Sequence, residues 1–321
     1  MIVRERPSAL RLLLVLRGSV LPSIWKSLAA ATLLAAAVTL LDLLGGVRIA
    51  LSTIPFTLMG LPLAIFLGFR NNAAYDHYWE GRKQWGELVL RSRSLARQCL
   101  SLVQDGDGDG DGDGGAAADG ADDRGDPRAR MLRRAAAYAH ALRHRLRGSD
   151  PAGDVAPWLD AGEWEGVRTL PNLPHALMLR MGADLALCLR QRRIDPALAV
   201  ALDATLSAMT GVAAACERIR GTPIPFSYTL LLHRTAYLYC FLLPFGLVDT
   251  VGWLTPLVVA IVAYTFFGLD ALGDEIEEPF GVSDHDLPLA ALCRTIEIDL
   301  RIALGERELP PPLLPVGYRL T

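Results

Sequence analysis

The 321-residue chain has few aromatic residues (7%) and few charged ones (21%), against 51% hydrophobic residues and a mean hydropathy of +0.28. With aromatics scarce, the apolar surplus comes from Leu, Ala, Val and Ile, which suits lipid-facing helix better than a β-sandwich. Cysteine is also sparse: Cys99, Cys188, Cys216, Cys240 and Cys293 form no CxxC pair, and their odd number excludes complete intrachain pairing. This argues against a disulfide scaffold and a structural zinc site. No HExxH, GxSxG, Walker or dinucleotide-binding fingerprint occurs, and no stretch alternates with period two long enough to make a strand. Collagen, coiled coil and a wholly disordered chain are excluded by composition.

The apolar residues are concentrated in four windows. Ser27–Leu44 carries one charge, Asp42, while Ile49–Phe69 and Thr250–Leu269 carry none. Thr235–Val248, third in chain order, is separated by Arg234 from the uncharged Gly221–His233. A span needs roughly 20 apolar residues to cross about 30 Å of hydrocarbon, so four membrane helices in two hairpins are expected. The first window starts too late and is too long for a cleaved leader. Arg4, Arg6, Arg11, Arg17 and Lys26 precede the first span, Arg70, Arg82 and Lys83 follow the second, and Arg218, Arg220 and Arg234 flank the third. Positive charge marks the cytoplasmic side, which predicts both termini and the long middle inside.

The expected organisation is a cytoplasmic segment (1–26), a first hairpin (27–69), a helical cytosolic region (70–220), a second hairpin (221–272) and a cytoplasmic tail (273–321). Within the middle, eight Asp fall between Asp105 and Asp123 without a base among them, leaving the rest of the chain mildly basic. Asp at alternate positions resembles a calcium loop, but no Glu follows before Glu163, so residues 105–127 read as a flexible linker. His140 and His144 could share a metal from one helix face, yet their basic surroundings favour a surface pair.

In the second span Gly60, Ala64 and Gly68 form a stripe of small residues that lets helices approach closely. Beside it, Leu61, Ile65 and Phe69 repeat the same four-residue spacing. If several subunits packed their small stripes around an axis, the second stripe would ring a hydrophobic constriction that conducts only when wetted. Spacing alone also admits ordinary packing. Pro62 frees a carbonyl and can bend the helix there.

The stretch Ile54–Gly86, and above all its core FLGFRNNAAYDHYWEGRKQWG, resembles the bestrophin family in its bacterial branch. RGTPIPFSYTLLLHR (Arg220–Arg234) and DEIEEPFG (Asp274–Gly281) extend the resemblance. It implies an all-α membrane protein: a homopentamer around one central pore, each subunit giving four transmembrane helices and a helical cytosolic region. It also implies a neck of three apolar rings, which fall on Leu61, Ile65 and Phe69. A second, cytosolic aperture is implied at Ala197, just after Asp195-Pro196, where family members carry a bulkier aliphatic residue. Ala197 therefore implies a wider, less selective opening, which Ala197→Ile would narrow. Animal members hold calcium in a clasp that maps onto Glu275, Glu278, Ser283 and Asp286; Ser283 replaces an acidic ligand, and bacterial members lack this control.

The function so implied is passive conduction of small monovalent ions across the bacterial inner membrane, without a reaction, cofactor, metal or nucleic-acid partner. Because bacterial members are associated with monovalent cations, the expectation leans to sodium-type cations, with a chloride or other anion channel as the alternative. Arg70 below the neck would favour anions, with Asp76 and Glu80 offsetting it. A membrane scaffold without conduction is a further alternative. A secondary transporter would need inverted repeats, and the two hairpins are too dissimilar.

Overall fold

The computed structural model describes residues 1–4, 8, 15–45, 51–105 and 125–321, and among these there is no strand, only helix and isolated bridges. The Asp-Gly stretch from 106 to 124 lies outside the described residues. Proline and short polar side chains set the helix starts. α1 (Leu21–Leu43) and α2 (Ile54–Leu102) both carry Pro in the first turn. α3 (Pro127–Arg147) is capped by Asp126, whose carboxylate accepts from the Arg128 N–H at 3.2 Å. Two short helices follow, α4 (Ala152–Val155) and α5 (Ala161–Val167), then α6 (Leu173–Arg190). α7 (Pro196–Gly221) starts as its sequence predicts, with Asp195 accepting from the Ala197 N–H at 2.7 Å and Pro196 in the first turn. α8 (Phe226–Val251) and α9 (Thr255–Glu277) are separated at Gly252, whose positive φ of 59° ends one helix before a single 3-10 turn. α10 (Leu289–Ala303) is the last helix.

These helices bury two separate cores. In the first, α1, α8, α9 and the N-terminal part of α2 pack Ile24, Phe56, Leu63, Leu67, Leu243 and Phe267 together. The outward faces of these helices are as apolar as the inward ones: Leu33, Leu44, Phe226, Leu257 and Ile261 are all exposed. Water would penalise such a surface and lipid would not. The second core joins the C-terminal part of α2 to α3, α6, α7 and α10 around Trp85, Leu95, Tyr138, Met181, Met209 and Ile296. By length and composition α7 is also apolar enough to span a membrane. Its buried side (Leu202, Leu206, Met209, Val212) nevertheless belongs to this second core, beside the arginine-rich α3.

One helix runs through both cores. The sequence divides this stretch at Phe69 between a span and a helical cytosolic region, whereas α2 continues through that boundary for 49 residues without a break. Its charged half keeps a buried edge (Trp85, Leu88, Leu95, Cys99), so the same helical register that packs the apolar bundle also packs the polar body. The chain ends meet beside that body. The Val3 N–H donates to Tyr318 O at 2.8 Å and the Leu320 N–H to Met1 O at 2.9 Å, placing residues 1–3 and 318–321 on the same side of the apolar bundle.

Candidate functional site: the exposed face of α2

On α2 the residues buried against neighbouring helices in the apolar bundle are Phe56, Leu63, Leu67, Arg70 and Ala74. At about 100° per residue these fall on one edge of the helix. Leu61, Ile65 and Phe69 lie on the opposite side and are 67%, 46% and 60% exposed. The three predicted side chains therefore form one continuous apolar row that the described residues leave largely open. Of the small residues, Gly60 is used within the chain: a methyl there would come 2.8 Å from the Tyr239 hydroxyl. Ala64 and Gly68 are exposed beside the row, and among the described residues no neighbouring helix comes within 4 Å of where a Gly68 methyl would stand.

Immediately below Phe69 the helix turns a charge inward. Arg70 is fully buried, its Nη1 donating to Asp270 Oδ1 at 2.7 Å and to Asp270 O at 3.2 Å. Its Nη2 pairs with Asp274 and lies 3.7 Å from Glu277 Oε2. Asp270 in turn meets His233 Nδ1 of α8 at 2.6 Å, so α2, α8 and α9 are tied at one level. Gly273 makes room for this, since a methyl there would stand 3.3 Å from the Arg70 guanidinium carbon and 2.6 Å from Asn71 Oδ1. The expectation that Arg70 favours anions below the neck is therefore corrected. Its charge is neutralised by carboxylates on α9 and points away from the Leu61–Ile65–Phe69 row. Asp270 and His233 were not singled out from the sequence. The spacing Asp270–Asp274–Glu277, one face of a helix, was the available signal, and it needed Arg70 opposite it to be read.

Asp76 is exposed on the same side of α2 as the apolar row, whereas Glu80 is paired with Arg218. Ala197 is exposed in the first turn of α7. Of the four clasp positions, Asp286 accepts from the Ser283 N–H, Glu275 lies 3.2 Å from His285 Nε2, and Glu278 faces solvent. Among the described residues no three His, Cys, Asp or Glu side chains gather as metal ligands.

The histidine pair is not on the surface, contrary to its basic surroundings. His140 and His144 are buried, His144 between Ser149 Oγ (2.7 Å) and Asp154 Oδ2 (2.8 Å), and His140 3.8 Å from Glu297 of α10. The arginines that made α3 look like a surface helix are themselves satisfied, Arg130 and Arg134 on Asp184 and Arg134 on Glu163. All five thiols are buried, and burial pushes Cys293 up to about 12, far from a nucleophile's range.

A protein-family model described as Bacterial/Fungal Bestrophin protein matches residues 1–302. A "Voltage-dependent anion channel-forming protein" of Mesorhizobium japonicum is 43% identical over 98% of this chain and 95% of its own length. The Escherichia coli K12 protein of that name, YneE, is 39% identical over 100% of both chains. Among solved structures, a bacterial bestrophin homologue from Klebsiella pneumoniae superposes with a TM-score of 0.77 at 30% identity, covering 89% of this chain and 100% of that one. With these relatives and its exposed apolar helices, the protein is a membrane protein. The chain belongs to the bacterial and fungal bestrophin family.

Proposed function

We propose that the protein is a passive channel for small monovalent ions, in which several copies, five by family resemblance, surround one axis with α2 of each facing it. The observation that carries this reading is the row Leu61, Ile65 and Phe69, exposed on the side of α2 that the described residues leave largely open. Stacked rings of these side chains would form a neck gated by widening and wetting. Dehydrating an ion in a dry apolar ring is costly, so a small change in bore changes conductance steeply. Ala197 would line a second, wider aperture in the polar body, which lies in the cytoplasm. Paired chain ends and the basic flanks of the spans support both termini on the cytoplasmic side of the inner membrane.

The relatives' name, anion channel-forming, supports anions as the permeant species and lends nothing to the lean toward sodium. The cation reading keeps one local argument: with Arg70 neutralised, the exposed charge nearest the apolar row on that face of α2 is Asp76. Purified protein in a planar bilayer under a salt gradient decides. A reversal potential near the chloride equilibrium value supports the anion channel, and one near the cation value reverses the choice. Absence of current, together with a stably bound membrane partner, would instead identify a scaffold.

A further inference from the structure

We propose that Asp76 sets the ratio of cation to anion permeability, as a ring of carboxylates one step inside the neck. The inference rests on the reading of α2 as the pore helix. Seven residues separate Phe69 from Asp76, which is two helical turns, about 10.5 Å along the axis on the same face. Asp76 is exposed, and among the described residues no hydrogen bond or ion pair engages it.

Its competitors are removed or more distant. Arg70 is buried and neutralised by Asp270 at 2.7 Å, Glu80 is paired with Arg218, and Glu87 is held by Arg91 at 2.6 Å. Asn72, the residue of this face between Phe69 and Asp76, is exposed and uncharged. Lys83 is exposed on the same face but stands a further seven residues away. The unneutralised charge closest to the apolar row on this side of the helix is therefore a carboxylate, and symmetry would repeat it in every copy.

A ring of five such charges about 10 Å from the neck acts through water and salt. With a Debye length of about 8 Å at physiological ionic strength, its effect on the occupancy of a single ion at the neck is about threefold. Cations gain and anions lose, so the permeability ratio changes about tenfold. The ring biases the ratio whichever ion dominates, because neck width and dehydration contribute separately.

The test is the reversal potential of Asp76→Asn, Asp76→Lys and Asp76→Glu channels in bilayers under a sodium chloride gradient. The expected cation-to-anion ratio falls about tenfold in Asp76→Asn, falls further in Asp76→Lys, and is retained in Asp76→Glu. The Asp76→Asn effect should grow at low ionic strength, and Lys83→Gln should move the ratio the opposite way by less. Conducting Asp76→Asn and Asp76→Lys channels with the parent ratio would overturn the inference while leaving the channel reading intact. Loss of all current in both, with Asp76→Glu still conducting, would also overturn it by showing a structural need for the carboxylate. A parent protein that carries no current overturns the channel reading and this inference with it.

Discussion

At the scale of single residues, two consecutive positions on α2 have opposite tasks. Phe69 is bare, while Arg70 is sealed among Asp270, Asp274 and Glu277. Cutting Phe69 or Ile65 to alanine removes bulk from the proposed neck without disturbing buried contacts. Liposomes carrying Ile65→Ala or Phe69→Ala protein should therefore pass ions faster than the parent; equal flux would refute the neck assignment. Arg70 behaves differently. Arg70→Met leaves Asp270, itself almost fully buried, without its main partner, and breaking such a pair costs about 3–5 kcal/mol. The melting midpoint of the detergent-solubilised variant should drop clearly, and adding Asp270→Leu should recover part of the loss because no buried charge is then stranded. A midpoint equal to the parent's would show that the pair does not anchor α2.

At the scale of elements, α2 and α8 cross closely, with Gly246 against the ring of Phe56, the Thr53 hydroxyl donating to Gly246 O at 3.2 Å, and the Leu51 N–H donating to Phe245 O at 2.7 Å. A methyl at Gly246 would collide with that ring. Gly246→Ala should therefore lower stability by about 1–3 kcal/mol, as overpacking does, and Phe56→Leu in the same chain should relieve it. A single variant that melts like the parent would show that the two helices can part freely. Helix content and the apolar row were legible in the sequence, since a four-residue spacing on an uncharged segment needs no tertiary information. The direction in which Arg70 points was not, because it depends on three carboxylates 200 to 207 residues away. The same holds for α3. Its arginines announce a surface, yet Asp184 and Glu163 neutralise two of them inside the body, and His140 and His144 are buried with them. Charge pattern along one chain segment reports solvent only when the counter-charges lie in the same segment.

At the scale of the whole molecule, two cores share one 49-residue helix, and the helix between the polar body and Phe69 holds no proline, Pro62 lying at the far end of the apolar row. Tilting this mast would change the bore of the proposed neck at Leu61, Ile65 and Phe69 together. A bare apolar row suits lipid as well as a ring of subunits, and it is the ring that would place it around a conduit. The most direct measurement is a density map of the purified protein in lipid nanodiscs. The expected map shows a ring of subunits with Leu61, Ile65 and Phe69 of every α2 around a central axis. A map in which this row faces lipid, or in which the protein is a lone subunit, would contradict it.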